Sequence, residues 1–402
     1  MNDLSGFSVL PRLRVVLAGL AMVALTAPAS AAPAAKDGRT EAPIAFLYDL
    51  TSDAVLFAKQ PDLPSPPASM ATLMTTELTF RALEAGSLKE TDTFRISEDA
   101  WRRGGAPSRG SAMFAKLNSQ VAVSDLLRGM IVQSGGDAAI TLAAGIAGSE
   151  PAFADLMNAR AQELGLARSR FRNATGLPDP EQVMTARDIS RLAAHLIRAY
   201  PERYALFAEP EFTWNKIAQR NRNPLLSDYP GADGLKTGYT ADSGYGLVGS
   251  ARRDGRRLIV VLNGLESSKA RAEEARKLLD WGFSAFETKR LFDAGETVAE
   301  ARVFGGATRH VPLAADAAVD VLTPKNDDAR VIARVVYDGP LTAPVRKGDR
   351  IGVLRVWRGE MLTVETPLRA AEDVGEGGLG RRAVDGAMEL VGDWIHQVVA
   401  RI

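Results

Sequence analysis

The sequence predicts an α+β domain, an antiparallel sheet with helices packed on it, followed by a small all-β domain. Three observations predict it. Strand-like runs within 45–57 and 245–263 bracket a long block with helical apolar spacing. Beyond residue 286 the pattern shortens to strands broken by turn residues. The composition is that of a chain with a core to bury: 402 residues, 46% hydrophobic and 24% charged.

The elements follow in order. Arg12 and Arg14 precede an uncharged apolar run over 15–27 and then Ala29-Ser30-Ala31. A basic start, a short apolar stretch and an A-x-A site mark a secretory signal peptide over 1–31. The run is shorter than the ~20 apolar residues that span a bilayer. The mature protein is therefore expected in the periplasm. The first folded domain is expected over 32–285. Residues 45–50 read as a strand with 54–57 as its hairpin partner, and a proline-rich stretch, 61–67, delivers the chain to Ser69. Helical spacing covers 70–83, with Gly86 as its cap. Further helices are expected over 124–146, 150–164 and 185–200. Strands at 245–252 and 257–263 flank Arg253-Asp254-Gly255-Arg256, an Asp-Gly hairpin signal. Residues 268–283 return to helix. The all-β domain is expected over 286–370, with its clearest strands at 298–303, 331–337, 351–357 and 361–366. A glycine-rich linker, 371–380, leads to an amphipathic tail helix over 381–402.

Composition also excludes chemistry. There are no cysteines, so disulfides, thiolate zinc sites and a cysteine nucleophile are ruled out. His195, His310 and His396 share no ligand spacing, and no metal or other cofactor is implied. Lys plus Arg and Asp plus Glu are each 49, so no net field draws the chain to nucleic acid.

Three short strings carry chemistry together. Ser69 stands at a helix start in Pro67-Ala68-Ser69-Met70-Ala71-Thr72. Ser134-Gly135-Gly136-Asp137 lies midway along a helical region. Lys236-Thr237-Gly238 lies on the strand leading into the hairpin. Alone, a serine at a helix start is usually just a cap. In this order the strings resemble the S-x-x-K, S-x-N and K-T-G motifs of the serine-type D-alanyl-D-alanine carboxypeptidases, the low-molecular-weight penicillin-binding proteins. The likeness runs on through Asp125-Leu126-Leu127-Arg128-Gly129-Met130, Asn173-Ala174-Thr175-Gly176-Leu177, Asn221-Arg222-Asn223 and Leu278-Leu279-Asp280-Trp281-Gly282-Phe283. It covers residues 43–370.

The resemblance implies a penicillin-binding/β-lactamase-like transpeptidase domain and acyl transfer on peptidoglycan stem peptides. Ser69 would attack the penultimate D-alanine carbonyl, expel the last D-alanine and pass the acyl group to water. Ser134 would relay protons, and Lys236, Thr237 and Gly238 would bind the substrate end. Backbone N–H groups of Ser69 and Tyr239 would hold the oxyanion. Arg271 matches a family arginine near the substrate carboxylate, or is a solvated helix arginine. β-Lactams are implied as covalent ligands. Related carboxypeptidases end in a helix lying on the outer face of the inner membrane, so 381–402 would attach peripherally there; packing on protein is the competing reading.

Two positions depart from the pattern. Thr72 stands where the lysine belongs and Gly136 where the asparagine belongs. Losing a general base costs roughly 10²- to 10⁴-fold. Three explanations stand open: a non-catalytic peptidoglycan-binding relative, weak activity with Lys236 and Ser134 as the proton route, or Lys116 entering the site from a loop. An accessory β-lactamase is a weaker alternative. Thr72→Lys is expected to restore the base and Gly136→Asn to improve substrate hold.

Overall fold

The computed structural model describes residues 39–325, 331–359 and 361–378. The leader 1–31 and the tail 381–402 lie outside the described residues. The chain divides between Ala285 and Phe286 into two units.

In the first unit, Ile44–Asp49 (β1) and Ala54–Lys59 (β2) form an antiparallel hairpin. A 3₁₀ turn, Ala68–Ala71, runs into Thr72–Glu84 (α1). Then come Thr93–Arg95 (β3), Glu98–Gly104 (α2), Gln120–Ala122 (β4), Val123–Val132 (α3), Gly136–Ala147 (α4) and Glu150–Glu163 (α5). Ala186–Ala199 (α6) precedes the one-turn Pro201–Tyr204 (α7), the small hairpin Glu211–Trp214 (β5) and Ile217–Arg220 (β6), and Leu225–Asp228 (α8). Ala232–Thr240 (β7), Gly244–Arg253 (β8), Arg256–Leu265 (β9) and Ser268–Ser284 (α9) close the unit.

The five-stranded sheet runs β2-β1-β9-β8-β7, antiparallel throughout. The last long strand thus returns beside the first, and the helical block is inserted between them. β8 and β9 are buried at six consecutive positions each, so both sheet faces are covered. Gly282 of α9 packs against Leu47 and Leu258, while Arg187 of α6 lies over the Phe46 ring. Phe46 and Leu47 point to opposite faces, so α6 and α9 lie on opposite sides of the sheet. The β8–β9 turn places both Asp254 (φ 49°) and Gly255 (φ 78°) in the left-handed region, the geometry that matches strand twist.

α1 is buried along most of its length and is unusually polar. Its threonines satisfy themselves by bonding back: Thr76 Oγ1 donates to Thr72 O at 2.9 Å, and Thr79 Oγ1 to Thr75 O at 2.8 Å. Glu77 is fully buried and accepts from Arg160 Nε at 2.8 Å and from the Tyr200 hydroxyl at 3.2 Å, with His195 Nε2 at 3.3 Å. Burial works to raise the Glu77 pKa, but the hydrogen bonds from His195 and Arg160 and the Arg160 charge outweigh it, and the net shift is downward.

The helix expected over 124–146 is two helices, interrupted at Gln133–Gly135. Ser134 there has φ 63°, a left-handed conformation that cannot continue a helix. α2 and the hairpins β3–β4 and β5–β6 carried no clear periodic signal.

The second unit pairs Phe286–Phe292 (β10) with a later strand and continues through Thr297–Phe304 (β11), His310–Ala314 (β12), Val319–Pro324 (β13) and Val331–Tyr337 (β14). Leu341–Thr342 (β15), Arg350–Arg358 (β16) and Met361–Ala370 (β17) complete it. Its main sheet runs β14-β16-β17-β12-β11-β15 over a core that includes Val311, Leu313, Leu354 and Leu368. Residues 373–377, expected within the linker, are tied to this sheet. Val374 is buried and exchanges backbone bonds with Val345, and Gly377 N donates to Gly305 O at 2.8 Å.

Candidate active site

Ser69 sits half-buried in the 3₁₀ turn, between buried Ala68 and Met70. Two backbone segments press on that turn. A Cβ on Gly238 of β7 would lie 2.9 Å from Pro67 O and 3.3 Å from Ser69 N. A Cβ on Gly176, whose φ is +84°, would lie 1.8 Å from Ala68 O. Only glycine fits at either position. Asn173 shapes the loop that brings Gly176 in, its Oδ1 accepting from the backbone N–H of Thr175 at 3.2 Å and of Gly176 at 2.8 Å.

Lys236 and Gly238 are two apart on β7 and share one face, so the Lys236 side chain lies on the face turned toward the serine. Its ammonium or amine Nζ donates to Ser134 Oγ at 2.7 Å. Both residues are buried, at 2% and 7% exposure. Among the described residues Lys236 is the one buried lysine. Burial, then the positive charges of Arg222 and Arg271, push its pKa down to about 7.

The two arginines complete a cationic cluster. Arg222 Nε donates to Gln133 O at 2.9 Å and so clamps the break between α3 and α4. Arg271 is half-buried on α9, lies over the Tyr245 ring at 5.6 Å and reaches Gly246 O at 3.5 Å. Its Nε has no hydrogen-bond partner. Burial lowers the pKa of each guanidinium. None of the three cations is paired with a carboxylate in the ion pairs seen among the described residues. Arg271 is thus a partly buried guanidinium near Lys236 and not a fully solvated helix arginine. Tyr239, 53% exposed, follows Gly238 on β7 and packs at a tilt on Tyr245 with centroids 4.2 Å apart.

The departures have structural counterparts. Thr72 is buried at 3% exposure, and its hydroxyl donates to Ser69 O at 2.7 Å. That hydroxyl satisfies the carbonyl of the turn and supplies no base. Gly136 opens α4 against the end of α2, where a Cβ on Gly104 would fall 2.2 Å from Gly136 C. A Cβ on Gly136 would itself lie 3.0 Å from Gly104 Cα and 3.2 Å from Gly104 O. An asparagine there would have to displace the Gly104 backbone by a few tenths of an ångström. Lys116 is exposed, so it does not enter the site from its loop. Next to Gly136, Asp137 is fully buried and ties that loop down, accepting from Met113 N at 2.9 Å and Ala115 N at 3.0 Å. Burial raises its pKa despite these donors.

The structure thus brings together Ser69, Ser134, Lys236, Gly238 and Arg271. Sequence reasoning assigned no role to Arg222, Gly104 or Tyr245. Arg222 lay inside a quoted string, Asn221-Arg222-Asn223, and its charge next to an asparagine-rich turn was the available signal.

Comparison with known proteins shows the family to which the chain belongs. The sequence profile of D-alanyl-D-alanine carboxypeptidases matches residues 29–266, and that of the C-terminal domain of penicillin-binding protein 5 matches 286–376. The chain is 41% identical over 336 residues to D-alanyl-D-alanine carboxypeptidase DacA of Haemophilus influenzae, covering 83% of this chain and 85% of that one. It is 40% identical over 390 residues to DacC of Escherichia coli, covering 95% and 97%. Among solved structures it is similar to penicillin binding protein 5 from Haemophilus influenzae, with TM-score 0.72 and 41% identity over 83% of this chain and 98% of that one. It is also similar to penicillin-binding protein D2 from Listeria monocytogenes in its ampicillin-bound form, with TM-score 0.55 and 28% identity over 61% and 98%.

Proposed function

Because this chain belongs to the D-alanyl-D-alanine carboxypeptidase family, we propose that it trims the terminal D-alanine of peptidoglycan stem peptides through an acyl-enzyme on Ser69. The observation that carries this reading is the contact between β7 and the serine turn. Gly238 abuts Pro67 and Ser69, and Lys236, two residues earlier on the same strand, bonds Ser134. β7 is the edge strand of its sheet, open to an extended peptide that would lie along Lys236-Thr237-Gly238. A terminal carboxylate would meet Arg271 and Arg222, which carry charge into a partly desolvated groove without a protein anion. Donors at Ser69 and Tyr239 would hold the oxyanion.

Acylation is slow in this reading, because Thr72 and Gly136 leave the helical side of the site without the family's lysine and asparagine. A non-catalytic peptidoglycan-binding role is the second reading. The Thr72 hydroxyl, committed to Ser69 O, favours it. The signal over 1–31 directs the protein to the periplasm, and 381–402 attaches it peripherally to the inner membrane. N-terminal sequencing of periplasmic protein and fractionation of a chain ending at Gly380 test these two points.

Intact mass after exposure to benzylpenicillin, with D-alanine release from a pentapeptide ending in D-alanyl-D-alanine, tests the central claim. A penicilloyl adduct absent from Ser69→Ala is the expected result. If there is no adduct and no released D-alanine, the binding role holds instead.

A further inference from the structure

Resting on the carboxypeptidase reading above, we propose that Lys236, acting through Ser134, is both the general base and the general acid of this chain's acyl transfer, the work of two lysines gathered into one. The motif lysine is gone, and its position is filled by a hydroxyl already bonded to Ser69 O. Of the other described lysines near these motifs in sequence, Lys89 and Lys116 are exposed and Lys59 donates to Thr40 O at 3.2 Å. His195 is held in the Glu77 cluster on the Phe46 side of the sheet. What remains is the Lys236–Ser134 bond of 2.7 Å, on the face of β7 turned to the nucleophile.

The surroundings suit an amine that must shed and regain a proton. The charged groups facing Lys236 are Arg222, from the segment after β6, and Arg271, from α9; no carboxylate bonds it. Like charge and burial both favour the neutral amine, and a neutral amine rotates to present its lone pair to Ser134. Ser134 is held in place by its left-handed backbone and by Arg222 gripping Gln133 O.

The step balances without any other group. As Ser69 Oγ bonds the carbonyl carbon, its proton passes to Ser134 Oγ while the Ser134 proton passes to neutral Lys236. As the tetrahedral intermediate collapses, the carbon–nitrogen bond breaks and the lysine proton returns through Ser134 to the leaving amine. Lysine ends neutral. Water repeats the sequence on the ester and restores the Ser69 hydroxyl.

The test is the second-order rate of benzylpenicillin adduct formation as a function of pH, which reports the free enzyme's base. The rate is expected to climb through about pH 7, the value at which Lys236 loses its proton. Ser134→Ala is expected to slow labelling by roughly 10²-fold or more while its melting temperature stays near that of the parent. Adding Thr72→Lys to Ser134→Ala is expected to recover labelling through a base that bypasses the relay. A rate flat from about pH 6 to 9, or Ser134→Ala labelling at the parental rate, overturns this inference and leaves the carboxypeptidase reading standing. A parent that forms no adduct at any pH overturns both.

Discussion

The site has two walls, and they differ in what they have kept. The strand wall retains its full motif: Lys236, Thr237 and Gly238 on β7, with Arg271 beside Lys236. The helical wall retains its backbone and has lost side chains. Ser134 keeps its left-handed turn and Ala68 its φ of 47° beside the nucleophile, yet Thr72 and Gly136 stand where lysine and asparagine belong. The comparison separates frame from function. Buried backbone must be satisfied and packed whatever the chemistry, whereas a base on a side chain can be exchanged without disturbing the turn that carries it.

The largest expected effect repairs the weaker wall. Thr72→Lys returns an amine one turn from Ser69 and is expected to raise the rate of penicillin adduct formation by roughly 10²- to 10⁴-fold. Labelling kinetics check it, and an unchanged rate would mean that Lys236 already supplies all the proton transfer the site can use.

Next comes the anchor under that wall. Arg160→Met removes the guanidinium partner of the buried Glu77 charge, leaving it Tyr200 and His195, and is expected to cost about 3 kcal/mol in urea denaturation. Because the Glu77 pKa is lowered on folding, its contribution is present above the ordinary carboxylate value and is lost as pH falls through the lowered one. A stability profile in acid should therefore be flatter for Glu77→Gln than for the parent.

A smaller effect is expected from Gly136→Asn, whose Cβ crowds Gly104 at 3.0 Å and 3.2 Å. It should destabilise by about 1–3 kcal/mol, measured by thermal melting, without tightening substrate binding. If stability is unchanged and peptide affinity rises, α2 yields more easily than its close contact indicates.

The smallest change touches the strand wall. Arg271→Gln removes one of the two charges facing Lys236, so the ascending limb of the pH–labelling profile should move to higher pH. Apparent affinity for a substrate carboxylate should weaken by about tenfold. A limb that stays in place would show that Arg222 and burial alone govern the amine.

Much of this was legible in the sequence, for reasons that differ by residue. Lys236-Thr237-Gly238 and Ser69 sit in contiguous strings, and the Asp254-Gly255 turn follows from local stereochemistry. The strand and helix order was likewise local. The break at Gln133–Gly135 was not, because alanine- and leucine-rich flanks on both sides carry one continuous helical pattern. α2 escaped notice because Trp101-Arg102-Arg103-Gly104-Gly105 presents no apolar stripe. The roles of Gly104 and Arg222 arise only from tertiary contact, when α2 meets α4 and when a loop folds over Gln133. Residues 373–377 looked like linker for their glycines, whereas Val374 has a place in the core of the second unit.

The unpaired cation cluster has a consequence for how firmly the protein holds together. Burial, and then the charges of Arg222 and Arg271 in the same partly dry groove, set folding against the charged form of Lys236. The unfolded chain keeps its lysine protonated to higher pH than the fold does, so the fold should grow more robust from about pH 7 toward the ordinary lysine value. A guest anion does from outside what an acidic residue could have done from within: it relieves the crowding and leaves again. An aspartate grafted into the groove would yield a sturdier protein that occupies its own binding site. The empty-handed version is the one that can be filled, and its saturation by an anionic ligand should register as protection against unfolding, on the scale set by ligand concentration over dissociation constant.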